Sequence, residues 1–253
     1  MGSLHAGHRA LIDAAKHLSR TVGVSIFVNP TQFGPSEDLA RYPRDLEGDL
    51  LQCEASGVDW VFAPEPEEIY PPGYATFIEV QHLSEGLCGA KRPGHFRGVA
   101  TVVAQLLTRV RPQRAFFGEK DFQQLQIVRR LSRDLHLRVD IIGHPIVREP
   151  DGLAMSSRNR YLEGEERSRA LGLWEGLCAV RRTREKGIRS AVALKRVASK
   201  ILKAKGVVED YIEIVDAETL RPLETLPLSS HPVVRLLVAG FVGKVRLIDN
   251  VAL

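Results

Sequence analysis

The sequence predicts an α/β fold, a parallel sheet with helices on both faces, followed by a smaller α+β domain. Three observations carry this. In the first half of the chain, apolar stripes of helical period alternate with short apolar runs, and the links between them are short. Polar segments rich in Asn, Gln, Gly, Lys and Ser follow the apolar runs, where a parallel sheet binds ligands beyond the carboxyl ends of its strands. From about Leu162 the pattern changes to two long helical stretches and then three strand-like runs. At 253 residues, with 44% hydrophobic and 26% charged, the chain has enough apolar material for one large domain or two smaller ones.

The elements follow in order. Leu11, Ile12, Ala15 and Leu18 fall at helical spacing, so a helix is expected from Gly7 to Leu18, and Val22 to Val28 then reads as a buried strand. A second helix is expected from Arg44 to Ala55, with Gly57 as its C-terminal cap, before a strand at Val58 to Phe62. A Pro/Gly break at Pro71-Pro72-Gly73 precedes a strand near Thr76 to Val80. The half closes with a helix from Gly98 to Val110, a strand at Ala115 to Phe117, a helix from Asp121 to Leu135 and a strand from Arg138 to Ile142. In the second half, helices are expected near Glu165 to Glu185 and Ala191 to Lys205. Strands follow at Asp210 to Val215, Val233 to Ala239 and Lys244 to Ile248, with Gly240-Phe241-Val242-Gly243 turning the last two into a hairpin. Arg148 to Asn159 reads as both linker and a loop able to close over a ligand.

Composition narrows the function classes. No apolar run approaches a membrane span, and Met1 is followed by neither a basic region nor an apolar leader, so a cytoplasmic protein without membrane association is expected. Cys53, Cys88 and Cys178 are odd in number, far apart and outside any C-x-x-C pair, and read as buried or half-buried thiols. A net charge of +4 is spread along the chain among acidic residues, which suits anionic small molecules and argues against a nucleic-acid partner. The densest basic stretch, Arg181 to Lys186, reads as the solvated end of a helix.

Four polar segments carry the chemistry. The first, Met1-Gly2-Ser3-Leu4-His5-Ala6-Gly7-His8, is an H-x-G-H turn into a helix. Small residues let a phosphate approach the backbone there, while amides and imidazoles face its charge. The same spacing also suits surface histidines or two metal ligands. In the second, Phe27 to Phe33, the amides of Asn29 and Gln32 suit a small polar substrate, although a plain loop would carry the same residues. In the third, Phe117 to Gln124, Lys120 suits phosphate oxygens, Asp121 a hydrated magnesium, and Gln124 the same ligand one turn on; simple helix capping by Asp121 is the other reading. In the fourth, Asp151 to Asn159, Ser156, Ser157 and Arg158 suit a triphosphate and the charge on a departing pyrophosphate, or simply a helix start.

These segments, taken as Met1 to His8, Ser25 to Phe33, Phe117 to Leu125 and Val147 to Leu162, occur in order with Leu87-Cys88-Gly89-Ala90-Lys91-Arg92-Pro93-Gly94-His95-Phe96-Arg97-Gly98-Val99. The set resembles the pantothenate synthetase (pantoate–β-alanine ligase) family from Met1 to the last strand. The resemblance implies a Rossmann-like ATP- and pantoate-binding domain over residues 1–147 and a smaller C-terminal α+β domain over 148–253 that closes over the active site. It implies a cytoplasmic homodimer that joins pantoate to β-alanine with ATP and magnesium, through a pantoyl adenylate, giving pantothenate, AMP and pyrophosphate.

Carried over by position, the resemblance assigns ATP binding to Met1, Gly2, Ser3, Leu4, His5, Ala6, Gly7 and His8, to Gly118, Glu119, Lys120 and Asp121, to Val147, and to Met155, Ser156, Ser157 and Arg158. His8 matches the proton donor, and with His5, Lys120 and Arg158 makes up the expected catalytic set. Gln32 and Gln124 match the pantoate-binding glutamines, Gln32 also lies near β-alanine, and Asn29 lies in the same pocket. Arg92 and His95 belong to a family motif without an assigned role. In the family a hydrophobic strand precedes the Met-Gly-x-Leu-His motif, so the first family strand is expected to be missing from this sheet, with the natural start upstream of Met1. Two other functions stand beside this one: a different H-x-G-H nucleotidylyltransferase that transfers AMP to a phosphate group, and an N-terminally truncated, inactive nucleotide-binding form. The paired glutamines favour carboxylate activation over the first.

Overall fold

A computed structural model describes residues 2–35, 37–229 and 233–253, and the chain divides into two compact units, Met1–Ile146 and Val147–Leu253. In the first unit, helix α1 (Ala6–Leu18) buries Ile12 and Ala15 and places Lys16 and His17 in its last turn, where cations complement the helix dipole. Strand β1 (Gly23–Ser25) leads to helix α2 (Leu46–Ala55), which starts where the Asp45 carboxylate accepts the Gly48 N–H at 3.0 Å. Gly57 ends that helix region at φ +66°, a left-handed conformation that glycine adopts without penalty. Strand β2 (Trp60–Phe62) pairs with β1 in parallel, Val24 opposite Val61. Short helices α3 (Pro66–Ile69) and α4 (Cys88–Lys91) precede the long α5 (His95–Val110), whose buried face runs from His95 and Phe96 through Val99, Val103 and Leu107. Strand β3 (Arg114–Gly118), helix α6 (Phe122–Asp134) and strand β4 (Asp140–His144) follow, with β3 and β4 paired in parallel and flanked by α1 and α6.

The parallel sheet predicted as one piece consists of two separate parallel pairs, β1–β2 and β3–β4. No described residue supplies a strand between them, so each ladder stays two strands wide. The strand expected over Val22 to Val28 is correspondingly short. Beyond Ser25 its pairing continues only as the Ile26 N–H to Phe62 carbonyl bond, at 2.8 Å. The strand expected near Thr76 to Val80 does not form. That segment runs extended without a ladder, and the Ile78 N–H donates to the Thr101 hydroxyl of α5 at 3.0 Å, so a side chain satisfies the backbone where a neighbouring strand would have done.

In the second unit, helices α7 (Glu165–Ala170), α8 (Gly172–Glu185) and α9 (Ala191–Ala204) precede an antiparallel sheet of β5 (Val208–Asp216), β6 (Val234–Val242) and β7 (Val245–Ala252), in the order β5-β6-β7. The central strand β6 is almost wholly buried. Its Leu236 and Val238 join Leu173, Leu177 and Val180 of α8 and Leu194, Ala198 and Leu202 of α9 in one core. The single helix expected from Glu165 to Glu185 is broken after Ala170. Gly172 at the break packs so closely that a Cβ would stand 2.9 Å from the Lys205 side chain. The hairpin turn also lies later than expected. Val242 pairs with Val245, so Gly243 and Lys244 alone make the turn, with Gly243 at φ +55°, while Gly240 and Phe241 stay in the strand.

Residues 147–159 are more tightly bonded than a linker or open loop. The Met155 N–H donates to the Val147 carbonyl at 3.0 Å and the Glu149 N–H to the Leu153 carbonyl at 2.8 Å, closing a small hairpin. Arg148 grips both carboxylate oxygens of Asp249 at 2.7 and 2.9 Å and lies over the Trp174 ring, 3.8 Å from its centre. Among the described residues, no helix is long and apolar enough to cross a membrane. Cys53 and Cys88 are buried, Cys178 is half-buried, and none of the three forms a disulfide.

Candidate active site

Met1 of the first motif lies outside the described residues; the rest of the turn is held from two sides. Leu4 is buried in the core with Ile12, Val24, Ile26 and Cys53, and its N–H donates to the Asp49 carboxylate of α2 at 2.6 Å. The Gly2 carbonyl accepts the Asp45 N–H at 3.2 Å. Asp49 is 1% exposed. Sequence reasoning missed it, because Leu46, Leu50 and Leu51 draw the eye while the buried stripe of α2 is Asp49 and Cys53, one turn apart. A carboxylate on a buried stripe is the signal that marks such a residue. Asp49→Ala strands the Leu4 N–H and is expected to lower unfolding free energy by about 1–3 kcal/mol, which a urea titration against wild type measures.

His5 caps α1: its Nδ1 accepts the Gly7 N–H at 3.1 Å, and its own N–H donates to His8 Nδ1 at 3.3 Å. Both rings therefore use Nδ1 as an acceptor, which assigns the remaining ring proton of the neutral form to Nε2 in each. The rings stack with centres 4.0 Å apart. Burial first, then the neighbouring His5, push the His8 pKa down to about 3; Lys120 acts in the same direction and Asp121 opposes it. His8 is thus a neutral hydrogen-bond donor near neutrality, and Lys120 and Asp121 stand close enough to feel its charge.

Lys120 and Asp121 sit in a single 3-10 turn, Glu119–Asp121, at the carboxyl end of β3 directly before α6. Asp121 occupies the N-cap position of α6 yet makes no side-chain cap bond, so capping does not account for its carboxylate. Asp121 also acts on His95, placing His8, Asp121 and His95 around one region of the first unit. Gln124 lies one turn further along α6. Its neighbour Gln123 is fully engaged: it accepts the Cys88 N–H at 3.0 Å and donates to the Leu83 and Gly86 carbonyls at 2.9 and 2.8 Å.

Asn29 and Gln32 bracket a 3-10 turn, Pro30–Gln32, after β1. Asn29 is buried and spends its whole amide on protein. Nδ2 donates to the Gly98 carbonyl at 3.1 Å and to Gln32 Oε1 at 3.3 Å, while Oδ1 accepts the Thr31 N–H and hydroxyl at 3.3 and 2.9 Å and the Tyr70 hydroxyl at 2.8 Å. Asn29 therefore orients Gln32 through its side-chain oxygen. Gly98 allows the close approach of α5, since a Cβ there would stand 2.5 Å from the Thr31 carbonyl oxygen. Within the second unit, the Ser156 hydroxyl accepts the Arg158 N–H at 3.2 Å and starts the 3-10 segment Ser157–Tyr161, with Val147 and Met155 paired just before it.

The profile described as pantoate-beta-alanine ligase matches residues 1–252. The chain belongs to that family. It is similar to the pantothenate synthetase of Myxococcus xanthus (strain DK1622), 57% identical over 254 residues that cover 100% of this chain and 86% of that protein. It is also similar to the pantothenate synthetase of Thermotoga neapolitana, at 52% identity over 254 residues covering 100% and 89%. Among solved structures, the pantothenate synthetase of Thermus thermophilus superposes with a TM-score of 0.94 at 49% identity, covering 99% of this chain and 90% of that one. The Francisella tularensis pantoate-beta-alanine ligase, complexed with beta-gamma ATP and beta-alanine, gives a TM-score of 0.81 at 36% identity, covering 100% and 87%. Like these proteins, this member of the pantoate-beta-alanine ligase family combines parallel strands flanked by helices with a C-terminal antiparallel sheet.

Proposed function

We propose that this chain condenses (R)-pantoate with β-alanine at the expense of ATP, forming pantothenate, AMP and pyrophosphate through a pantoyl adenylate. The observation that carries the reading is the match to the ligase family over residues 1–252. The chemistry of the first unit agrees with it: neutral imidazole donors at the start of α1 and a lysine at the carboxyl end of β3 suit a triphosphate, and the uncapped carboxylate beside that lysine suits the magnesium that accompanies one.

In the first step a pantoate carboxylate oxygen attacks the α-phosphorus of ATP, and the bond to the pyrophosphate oxygen breaks. His5 and His8 offer Nε2–H donors to phosphate oxygens, and Lys120 and Arg158 follow the charge that gathers on the leaving pyrophosphate. The backbone of Gly2 to His8, Gly118 to Asp121, Val147 and Met155 to Ser157 makes up the rest of the nucleotide contacts. Gln32 and Gln124 hold pantoate, with Asn29 acting through Gln32. In the second step the β-alanine amine, beside Gln32, attacks the activated carbonyl, AMP leaves with the bonding pair, and the amine gives up its proton. Water must be excluded, because the mixed anhydride hydrolyses readily.

Magnesium suits the residues present. One carboxylate, completed by phosphate oxygens and water, is an ordinary magnesium shell, and Asp121 has its carboxylate free of capping. When bound, the ion would neutralise charge on the phosphates. We place the enzyme in the cytoplasm as a homodimer. The deciding assay supplies ATP, magnesium, pantoate and β-alanine and follows pantothenate by mass together with pyrophosphate. Pyrophosphate release that needs a phosphorylated acceptor, with no pantothenate formed, would reject the reading.

A further inference from the structure

Arg92 ties Glu37 to His95 and to the Gln32 carbonyl that His95 also holds. Its Nε and Nη2 donate to the two Glu37 carboxylate oxygens, each at 2.6 Å, in a fork-to-fork pair. Its Nη1 lies 3.0 Å from His95 Nε2, and since a guanidinium only donates, that ring nitrogen accepts and the ring proton sits on Nδ1. His95 Nδ1 in turn lies 2.8 Å from the Gln32 carbonyl oxygen and donates to it, while Arg92 Nη2 reaches the same oxygen at 3.5 Å. The side chains of Arg92 and Glu37 are only 16% and 23% exposed, so water screens the pair weakly. Burial alone would raise the Glu37 pKa, but the bonds and charge of Arg92 outweigh it and hold the carboxylate ionised.

Glu37 and Gln32 lie in the segment after β1, while Arg92 caps the C-terminus of α4 and His95 opens α5. The loop is thus pinned twice: at Gln32 by the imidazole and at Glu37 by the guanidinium. We infer that Arg92, clamped by Glu37 and acting through His95, is a positioning residue that fixes the Gln32 turn, and with it the amide that receives pantoate and β-alanine. Only a planar fork can serve here, because Arg92 uses three separate nitrogens at once; a lysine ammonium could reach one partner and would leave the others loose. This inference rests on the ligase reading above.

The test compares Arg92→Ala, Arg92→Lys and Glu37→Gln with wild type in the full two-substrate assay. Loosening the turn by the worth of one charge-assisted bond should raise the KM for pantoate and for β-alanine about tenfold in Glu37→Gln, and at least as much in Arg92→Ala, which loses all the Arg92 bonds. The KM for ATP and the melting temperature should stay near wild type. Added guanidinium ion should recover much of the loss in Arg92→Ala, and Arg92→Lys should resemble Arg92→Ala more than wild type. Glu37→Gln, nearly isosteric, keeps the test open should Arg92→Ala fail to fold. Unchanged KM values for pantoate and β-alanine in Glu37→Gln, or a matching rise in all three KM values, would overturn the inference while leaving the ligase reading intact. A wild-type protein that forms no pantothenate would overturn the ligase reading itself, and this one with it.

Discussion

Replacing His8 by alanine is expected to lower kcat by about 10²–10³-fold, by analogy with the loss of one donor aimed at transition-state charge. Lys120→Ala is expected to act with the same magnitude. The size follows from where the side chains stand: His8 is neutral near pH 7 with its Nδ1 taken by the His5 N–H, so its contribution is an oriented Nε2–H. A histidine acting as a charged acid would instead need a pKa near the working pH. His8→Gln should therefore keep more activity than His8→Ala, since it retains an N–H donor without a titrating group. The check is steady-state turnover in purified, folded variants. Near-normal kcat in both alanine variants would remove His8 and Lys120 from the transition state.

Acidification is expected to destabilise this protein well above the carboxylate range. The His8 and His95 pKa values are about 3 and about 4 in the folded chain, against 6.5 for a free side chain. Burial is the main cause in both; Arg92 adds to it at His95, where Glu37 and Asp121 oppose it. Well above pH 6.5 both histidines are neutral whether the chain is folded or not, and they make stability independent of pH. As pH falls through 6.5 the unfolded chain takes up two protons that the folded chain refuses, so stability drops by up to about 1.4 kcal/mol per pH unit for each. The loss levels off once pH passes the folded values. Between about pH 6.5 and 5, before Glu37 begins to protonate, the two sites together predict a fall of roughly 3 kcal/mol. Urea titrations across that interval measure it, and a His8→Gln, His95→Gln double variant should flatten the curve. An equally steep curve in the double variant would assign the acid sensitivity to other groups.

Much of the site was legible in the sequence because its parts are local. The H-x-G-H turn, the Pro-Thr-Gln segment, the Gly-Glu-Lys-Asp turn and the Ser-Ser-Arg stretch each consist of neighbouring residues whose backbone conformation and chemistry are set within a few positions. Asp121 illustrates the limit: residue type and position at a helix start fit both capping and ligand binding, and only the structure shows that its side chain makes no cap bond. Asn29 illustrates another, since the sequence shows an amide in a polar loop and only the fold supplies the partners at Gly98, Thr31, Gln32 and Tyr70 that hold it.

The sequence by itself determined most of the helices and strands and where the polar turns fall, because helical and strand periods, caps and turn residues act over short range; the Thr76 to Val80 strand, which needed a neighbour to pair with, is the exception in kind. Only the tertiary structure decided which side chains meet across long separations. The pairing of Leu4 with Asp49, of Gln32 with His95, and of Arg92 with Glu37 joins residues 45, 63 and 55 positions apart. The face that α2 turns inward was decided in the same way: it buries Asp49 and leaves Leu51 61% exposed, against its own apolar pattern. A buried carboxylate is stable only where a donor is waiting, and here that donor is a backbone amide supplied by a distant turn.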